Sequence, residues 1–116
     1  MALQIELEQG EEFWTLTLSG ELDYSECPAF RMNIDRILKA SPPATVVDLS
    51  HLDYLDSSGL GLLLSLSKEY GAQGGRLVLV TNETVDNILS LTRLKGIFST
   101  VSSIEQAREL VADTLR

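Results

Sequence analysis

The chain contains one cysteine, Cys27, and one histidine, His51, among its 116 residues. A single cysteine excludes an internal disulfide and any metal site built from several cysteines. A single histidine leaves too few imidazoles for a typical zinc shell. Long apolar runs are missing, and no basic segment followed by an apolar stretch opens the sequence, so neither a membrane span nor a signal peptide is expected. These absences favour a soluble protein of a reducing, cytoplasmic compartment.

Motifs of common catalytic and nucleotide-binding sites are also missing. Neither Gly-x-Gly-x-x-Gly nor a Walker loop occurs. Ser57 does not lie within Gly-x-Ser-x-Gly, and only His51, six residues upstream, could serve as its base. Asp53 and Asp56 could pair as acid and base, but no second cluster supports them. Cys27 lies where a helix start would favour a thiolate, although a small buried hydrophobe is the simpler interpretation. We therefore expect no enzymatic activity and no metal or cofactor.

The composition that is present is that of an ordinary globular protein, with 44% hydrophobic and 22% charged residues. The length matches the commonest domain size, so residues 1–116 are expected to form a single domain. The formal net charge of −8 argues against nucleic-acid binding, because the phosphates would repel the protein. The same charge suits a partner with a basic patch, although most acidic domains are simply soluble.

Hydrophobic periodicity predicts a mixed α/β fold. Two runs of alternating apolar and polar residues, on either side of Gly10, predict an opening β-hairpin. Segments with helical spacing then alternate with three short strands. The predicted order is β-β-α-β-α-β-α-β-α, which implies a mixed sheet with about four helices packed on it. The apolar positions of the hairpin are Leu3, Ile5, Leu7, Trp14, Leu16 and Leu18.

Several residues mark the expected boundaries of these elements. Ser25 is expected to cap the first helix, with Pro28 in its first turn. Central strands are predicted at 46–49, which is short and β-branched, and at 76–80, which is of the continuous apolar type. The third and last helices are expected to begin at side-chain caps, which are Asn82 and Ser103.

The turn Asp56-Ser57-Ser58-Gly59, between a central strand and the second helix, is the main candidate site. Ligand and modification sites favour the carboxyl ends of strands, and a helix start can receive a phosphate through its free N–H groups and its dipole. A phosphate on Ser57 would add a charge of about −1.5 to −2. Gly59 and Gly61 are expected to leave room for a partner's backbone. Spacing alone leaves a second interpretation open, a plain helix cap with glycines for close packing.

Three segments in fixed order carry a family resemblance: Leu18-Ser-Gly-Glu-Leu-Asp23, Val46-Val-Asp-Leu49 and Leu55-Asp-Ser-Ser-Gly-Leu-Gly61. Further support comes from Gly74-Gly75, Leu91-Thr92 and Ile97-Phe98. With these residues the chain resembles, over essentially its whole length, the STAS domain of bacterial anti-sigma factor antagonists of the sporulation and general-stress type.

This resemblance implies a partner-switching mechanism. The unphosphorylated protein would bind an anti-sigma factor, which is also a serine kinase with the histidine-kinase-type ATPase fold, and so release a sigma factor. Phosphorylation of Ser57 by that kinase would end the binding, and a PP2C-type phosphatase would restore it. Direct contact with nucleic acid or membrane is not implied. The implied docking surface consists of Glu21, Asp23, Asp56, Ser58, Gly59 and Gly61.

The chain departs from the usual family pattern at Glu26, Arg93 and Lys95. These positions lie near the expected docking surface, so they bear on the identity of the partner more than on the mechanism. Two alternatives remain open. One is a STAS module of a membrane-lipid transport complex, although such modules often carry Thr in place of Ser57. The other is a switch whose kinase controls a target other than a sigma factor.

Overall fold

The computed structural model describes residues 3–115, which form one five-stranded sheet in the order β1-β2-β3-β4-β5, with four helices. Short 3-10 turns precede α1 and β5. This succession confirms the predicted order of strands and helices. The strands are β1 (Gln4–Gln9), β2 (Trp14–Leu22), β3 (Ala44–Leu55), β4 (Arg76–Val80) and β5 (Ser99–Val101). The helices are α1 (Cys27–Ala40), α2 (Ser57–Ala72), α3 (Glu83–Leu91) and α4 (Ile104–Thr114).

The sheet combines one antiparallel pair with three parallel pairs. β1 and β2 form the predicted hairpin, with Leu7 opposite Leu16. β2 through β5 pair in parallel, so each of these strands is followed by a helix that carries the chain back. The carboxyl ends of the parallel strands therefore lie at one end of the sheet. At that end Leu22 of β2 is opposite Leu55 of β3.

The two faces of the sheet are covered unequally. One face packs against α1, α2 and α3 in a large apolar cluster whose buried members include Leu18, Phe30, Leu49, Leu63 and Leu89. On the other face α4 forms a smaller cluster with β3 and β4, which consists of Ala44, Val46, Val78, Val80, Ala107 and Val111. Because both faces are covered there, residues 77–80 of β4 are all apolar, and residues 44–49 of β3 include only two polar residues, Thr45 and Asp48. No helix within residues 3–115 is long and apolar enough to cross a lipid bilayer.

β3 is longer than the sequence pattern predicts. The expected strand at 46–49 continues to Leu55, so His51 and Asp53 lie within a strand and not in a loop. The register with β2 shifts twice along this extension, between Thr17 and Ser19 and between Gly20 and Glu21. Such bulges insert unpaired residues and interrupt the two-residue alternation, which is why the pattern did not reveal the extension.

Gly20 lies between these two register shifts. Its φ of 100° falls in the left-handed region, which a residue without a Cβ adopts at little cost. Bulges bend a strand and increase its local twist. The bulged extension of β3 runs past the end of β4 and leads to the start of α2.

The start of α1 differs from the prediction. Asp23 Oδ1 accepts hydrogen bonds from the Ser25 N–H at 3.0 Å and from the Ser25 hydroxyl at 2.6 Å. Asp23 thereby caps the 3-10 turn Tyr24–Glu26, which runs directly into α1. Ser25 lies inside this turn, so the prediction that Ser25 caps the helix is wrong. Pro28 does lie in the first turn of α1, as predicted.

The predicted caps of α3 and α4 are confirmed. Asn82 Oδ1 accepts a hydrogen bond from the Val85 N–H at 2.8 Å. Ser103 Oγ accepts one from the Gln106 N–H at 3.2 Å. Both contacts join residues three positions apart, the spacing at which an N-cap side chain meets the first free N–H groups of a helix.

Candidate functional site

The Asp56–Gly59 turn joins the end of β3 to the start of α2. Asp56 caps the helix, because its Oδ1 accepts a hydrogen bond from the Gly59 N–H at 3.0 Å. Its Oδ2 accepts a second hydrogen bond from the Tyr24 N–H, also at 3.0 Å. The Asp56 N–H in turn donates to the Leu22 carbonyl at 3.2 Å. One residue therefore ties the start of α2 to the loop that follows β2.

Ser57 is the first residue of α2 and is exposed, whereas Ser58 is half-buried. The N-terminus of the helix directs positive potential toward Ser57, while the neighbouring Asp56 supplies a carboxylate. Asp56 is therefore a helix cap, as the second interpretation expects. The adjacent Ser57 is exposed, which a phosphorylation site also requires.

Gly59 and Gly61, both in the first turns of α2, differ in their surroundings. A Cβ at Gly59 would lie 2.6 Å from Leu22 Cγ and 2.9 Å from Leu55 Cδ1, so the space beside this residue is filled by the core. The expectation that Gly59 leaves room for a partner is therefore wrong, and its role is close packing. A Cβ at Gly61 would meet nothing within 4 Å, which agrees with the expectation of open space there.

Glu21 and Asp23 lie beside this turn. Glu21 is near the end of β2, opposite Tyr54 of β3, and Asp23 begins the loop toward α1. The hydrogen bond from Ser25 holds the pKa of Asp23 below its ordinary value of 3.8, so this carboxylate is charged at neutral pH. The hydrogen bond from the Tyr24 N–H to the Asp56 side chain brings the β2–α1 loop next to the turn. The structure therefore places the implied docking residues in one region, with Gly59 beneath its surface.

Two large apolar side chains, one in the turn before α1 and one on α1, are exposed although the sequence pattern does not predict it. Tyr24 is 78% exposed and Met32 is 70% exposed. Tyr24 borders an apolar groove of about 470 Å³, whose other lining residues are Ser25, Cys27, Pro28 and Arg31. The available signal was that Met32 falls outside the stripe of Phe30, Ile34 and Ile37 that α1 buries. Large apolar side chains outside a buried stripe indicate a contact surface when they cluster.

Cys27 lines this groove and is packed as an apolar side chain. It is half-buried and packs against the large core cluster. Its thiol donates to the Asp23 carbonyl at 3.4 Å. Burial, together with the negative charges of Asp56 and Asp23, raises the pKa of Cys27 above its ordinary value. The simpler interpretation, a small hydrophobe, therefore holds, and the thiolate alternative does not.

The three departures from the family pattern lie in different surroundings. Glu26 is half-buried, and its carboxylate accepts a hydrogen bond from the Leu3 N–H, which ties the chain before β1 to the start of α1. Lys95 Nζ lies 3.5 Å from a carboxylate oxygen of Asp86. Arg93 follows α3 with a φ of 62°, a conformation that favours glycine.

Within residues 3–115, no group of three or more acidic, histidine or cysteine side chains has a metal-binding arrangement.

Comparison with known proteins gives consistent matches. Residues 4–107 match the model of the STAS domain family. The anti-sigma F factor antagonist of Paenibacillus polymyxa is 34% identical over 96 residues, which cover 81% of this chain and 82% of that protein.

Solved structures agree. An anti-sigma factor antagonist from Mycobacterium paratuberculosis has a TM-score of 0.88 at 27% identity, over 97% of this chain and 96% of that one. The anti-sigma factor antagonist SpoIIAA in its unphosphorylated form has a TM-score of 0.79 at 26% identity, over 95% and 97%. The phosphorylated form of SpoIIAA from Bacillus has a TM-score of 0.73 at 25% identity, over 93% and 99%. The predicted fold is thereby confirmed.

Proposed function

This chain belongs to the STAS domain family, and we propose that it is an anti-sigma factor antagonist whose partner binding is switched off by phosphorylation of Ser57. In its unphosphorylated form it binds the anti-sigma factor and so frees a sigma factor. The observation that carries this proposal is the position of Ser57, exposed at the first residue of α2 and next to the capping carboxylate of Asp56. The relatives named anti-sigma factor antagonists support the same role.

The electrostatics of the turn explain how a single phosphate could act as a switch. A phosphate on Ser57 would be favoured by the N-terminus of α2 and disfavoured by Asp56. Asp56 cannot easily turn away, because the Gly59 and Tyr24 N–H groups hold both of its oxygens. Water screens the two negative groups in the free protein, but a close interface removes that water. Losing one or two interface hydrogen bonds would cost a few kcal/mol, which corresponds to tens- to hundreds-fold in affinity.

The chemistry of the surrounding surface suggests the kind of partner. The proposed docking surface comprises Glu21, Asp23, Asp56, Ser58 and Gly61, with Gly59 supporting it from below. Tyr24 adds an exposed aromatic ring next to these groups. Aromatic residues at the centre of an interface often contribute much of its affinity. A partner with basic side chains around an apolar centre would complement this surface.

We propose that this partner is an anti-sigma factor with serine kinase activity and the histidine-kinase-type ATPase fold, and that a PP2C-type phosphatase removes the phosphate. The chain then acts as a ligand and a kinase substrate and not as an enzyme. We place it in the cytoplasm, where sigma factors act, without direct contact to nucleic acid or membrane. The same proposal treats residues 1–116 as one STAS domain.

The test is to incubate the protein with its cognate kinase and ATP and to map the phosphate by mass spectrometry. We expect phosphate on Ser57. Ser57→Ala should retain kinase binding without being phosphorylated, and Ser57→Glu should lower the affinity at least about tenfold, because a fixed negative charge enters the interface.

Ser58→Ala is the matched control for the site of phosphorylation and not for affinity, since it removes the neighbouring hydroxyl and should still accept phosphate on Ser57. Phosphate found on Ser58, or anywhere other than Ser57, would contradict the assignment. Release of a sigma factor from the kinase by the unphosphorylated protein tests the downstream step. Binding without any such release would point to a target other than a sigma factor.

A further inference from the structure

The extension of β3 has one edge without a neighbouring strand. β4 ends at Val80, which lies opposite Asp48, and β3 continues for seven more residues, 49–55. Its other edge is paired with β2 as far as Leu55, although two register shifts interrupt that ladder. Within the described part of the chain, no strand pairs with the edge of 49–55 that faces away from β2. Backbone carbonyls along such an edge need other hydrogen-bond donors.

Asn82 supplies these donors. It lies two residues after Val80, at the point where a longer β4 would continue the ladder. Its Nδ2 donates to the Ser50 carbonyl at 3.1 Å and to the Leu52 carbonyl at 2.9 Å. Its Oδ1 at the same time accepts from the Val85 N–H and caps α3. One side chain thus serves a strand edge and a helix start together.

Capping alone does not require asparagine at this position. Asp, Ser and Thr cap helices about as well, but an aspartate has no donor and a hydroxyl has only one. The side-chain amide is the cap group that can accept one hydrogen bond and donate two. The choice of residue therefore matches both contacts.

We propose that Asn82 is a positioning residue for the Asp56–Gly59 turn. By holding the free edge of β3 at Ser50 and Leu52, it fixes the strand that delivers this turn to the docking surface. The bulges in β3 weaken the ladder on the opposite edge, so the hold on the free edge matters more than it would in a regular strand. The inference deepens the proposed function, on which its importance for Ser57 rests.

Amide hydrogen exchange of the isolated protein, read residue by residue by NMR, tests this inference. Asn82→Asp keeps the acceptor that caps α3 and removes both donors. We expect the amides of Leu52 to Asp56, and that of Gly59, to exchange about tenfold faster or more, because two hydrogen bonds are lost. Amides within α3 should keep their protection. Asn82→Ser, which also retains a capping oxygen, serves as a second variant in case the introduced charge unfolds the protein.

Ser103→Ala is the matched control, because it removes a side-chain cap from α4 without touching β3. It should leave exchange in 49–59 unchanged. Unaltered exchange of the Asp56 and Gly59 amides in both Asn82 variants would overturn the proposal. So would faster exchange throughout the protein, which would indicate a general loss of stability.

A kinetic measurement with the cognate kinase separates positioning from fold stability. Asn82→Asp should raise the KM for phosphorylation of Ser57 several-fold with a smaller change in kcat, because a loosened turn docks less often in the correct geometry. An unchanged KM would show that Asn82 supports the fold alone and would overturn its role for Ser57. If the wild-type protein is not phosphorylated on Ser57, the proposed function fails, and the exchange data still decide whether Asn82 holds the turn.

Discussion

The helices α2 and α4 begin in the same way locally but differ in what their caps connect. Asp56 accepts from the Gly59 N–H, and Ser103 accepts from the Gln106 N–H. At α4 the remaining bonds are also local, since Gln106 Oε1 accepts from the N–H and the hydroxyl of Ser102, each at 3.0 Å. At α2 the second oxygen of Asp56 instead accepts from Tyr24, 32 positions away. The start of α4 is a plain cap, whereas that of α2 joins two segments at the surface.

The packing of the two first turns differs as well. Gly59, the third residue of α2, lies against the side chains of Leu22 and Leu55 at the ends of two strands. The third residue of α4, Gln106, is exposed. The start of α2, where we propose the docking surface, therefore has more than a cap. Its first turn is also packed against the ends of β2 and β3, and Asp56 is hydrogen-bonded to the loop that follows β2. These three segments together fix its position.

The largest expected effect comes from Gly59→Ala. The new Cβ would lie under 3.0 Å from carbons of Leu22 and Leu55, which are both buried and cannot move freely. We expect the free energy of unfolding to fall by about 3 kcal/mol, the upper end of the usual cost of overpacking. Denaturant titration followed by circular dichroism measures this change.

Gly61→Ala is the matched control two residues further along α2. Its Cβ would meet no atom within 4 Å, and alanine is a better helix former than glycine. The free energy of unfolding should rise by about 0.5–1 kcal/mol. Equal changes for the two substitutions would refute the view that the first turn of α2 is pressed onto the strand ends.

A smaller effect should separate the two caps directly. Asp56→Ala removes the cap and the bond to the Tyr24 N–H, so we expect a loss of about 2 kcal/mol. Ser103→Ala removes only a local cap and should cost about 1 kcal/mol. NMR provides a second readout, since the amide resonance of Tyr24 should shift in Asp56→Ala and stay in place in Ser103→Ala. Similar losses of unfolding free energy in the two variants, without a shift of the Tyr24 resonance, would show that Asp56 is only a local helix cap like Ser103.

The local features of this fold could be predicted from sequence, and the contacts between distant segments could not. β4 has the predicted bounds because an uninterrupted run of four apolar residues, 77–80, follows Arg76 and marks a buried strand. Asn82 and Ser103 could be predicted as caps because Asn and Ser are favoured cap residues, and each contact that the structure shows spans only three residues. At α1 the residue type favours Ser25 as the cap, but Asp23 caps the 3-10 turn that precedes the helix, and Ser25 lies inside that turn.

The rest depends on tertiary structure. The extension of β3 was missed because bulges remove the alternation that identifies a strand. Gly59 was assigned to open space because no local pattern shows that Leu22 and Leu55 pack against it. The second role of Asn82 likewise depends on carbonyls about 30 positions away. The sequence pattern thus indicated the candidate serine but not the contacts that hold it in place.

The smallest effect on stability, and the most specific one on binding, is expected at Asp23. Asp23→Asn keeps an acceptor for Ser25 and removes the charge, so the free energy of unfolding should change by less than about 0.5 kcal/mol. Affinity for the kinase should fall about tenfold, and the loss should shrink at high salt, because screening weakens the charge that was removed. Isothermal titration calorimetry at low and at high salt measures the affinity and its salt dependence.

Asp23→Ala separates the charge of this residue from its cap, because it removes both. An affinity that falls only in Asp23→Ala would assign the effect to the shape of the 3-10 turn, and an unchanged affinity in both would exclude Asp23 from the docking surface. The lowered pKa adds a pH test, because a pKa below the ordinary value of 3.8 keeps Asp23 ionised at every pH well above that value. Its contribution to binding should therefore be constant from pH 8 to about pH 5. A contribution that disappears within this range would require a different titrating group at the interface.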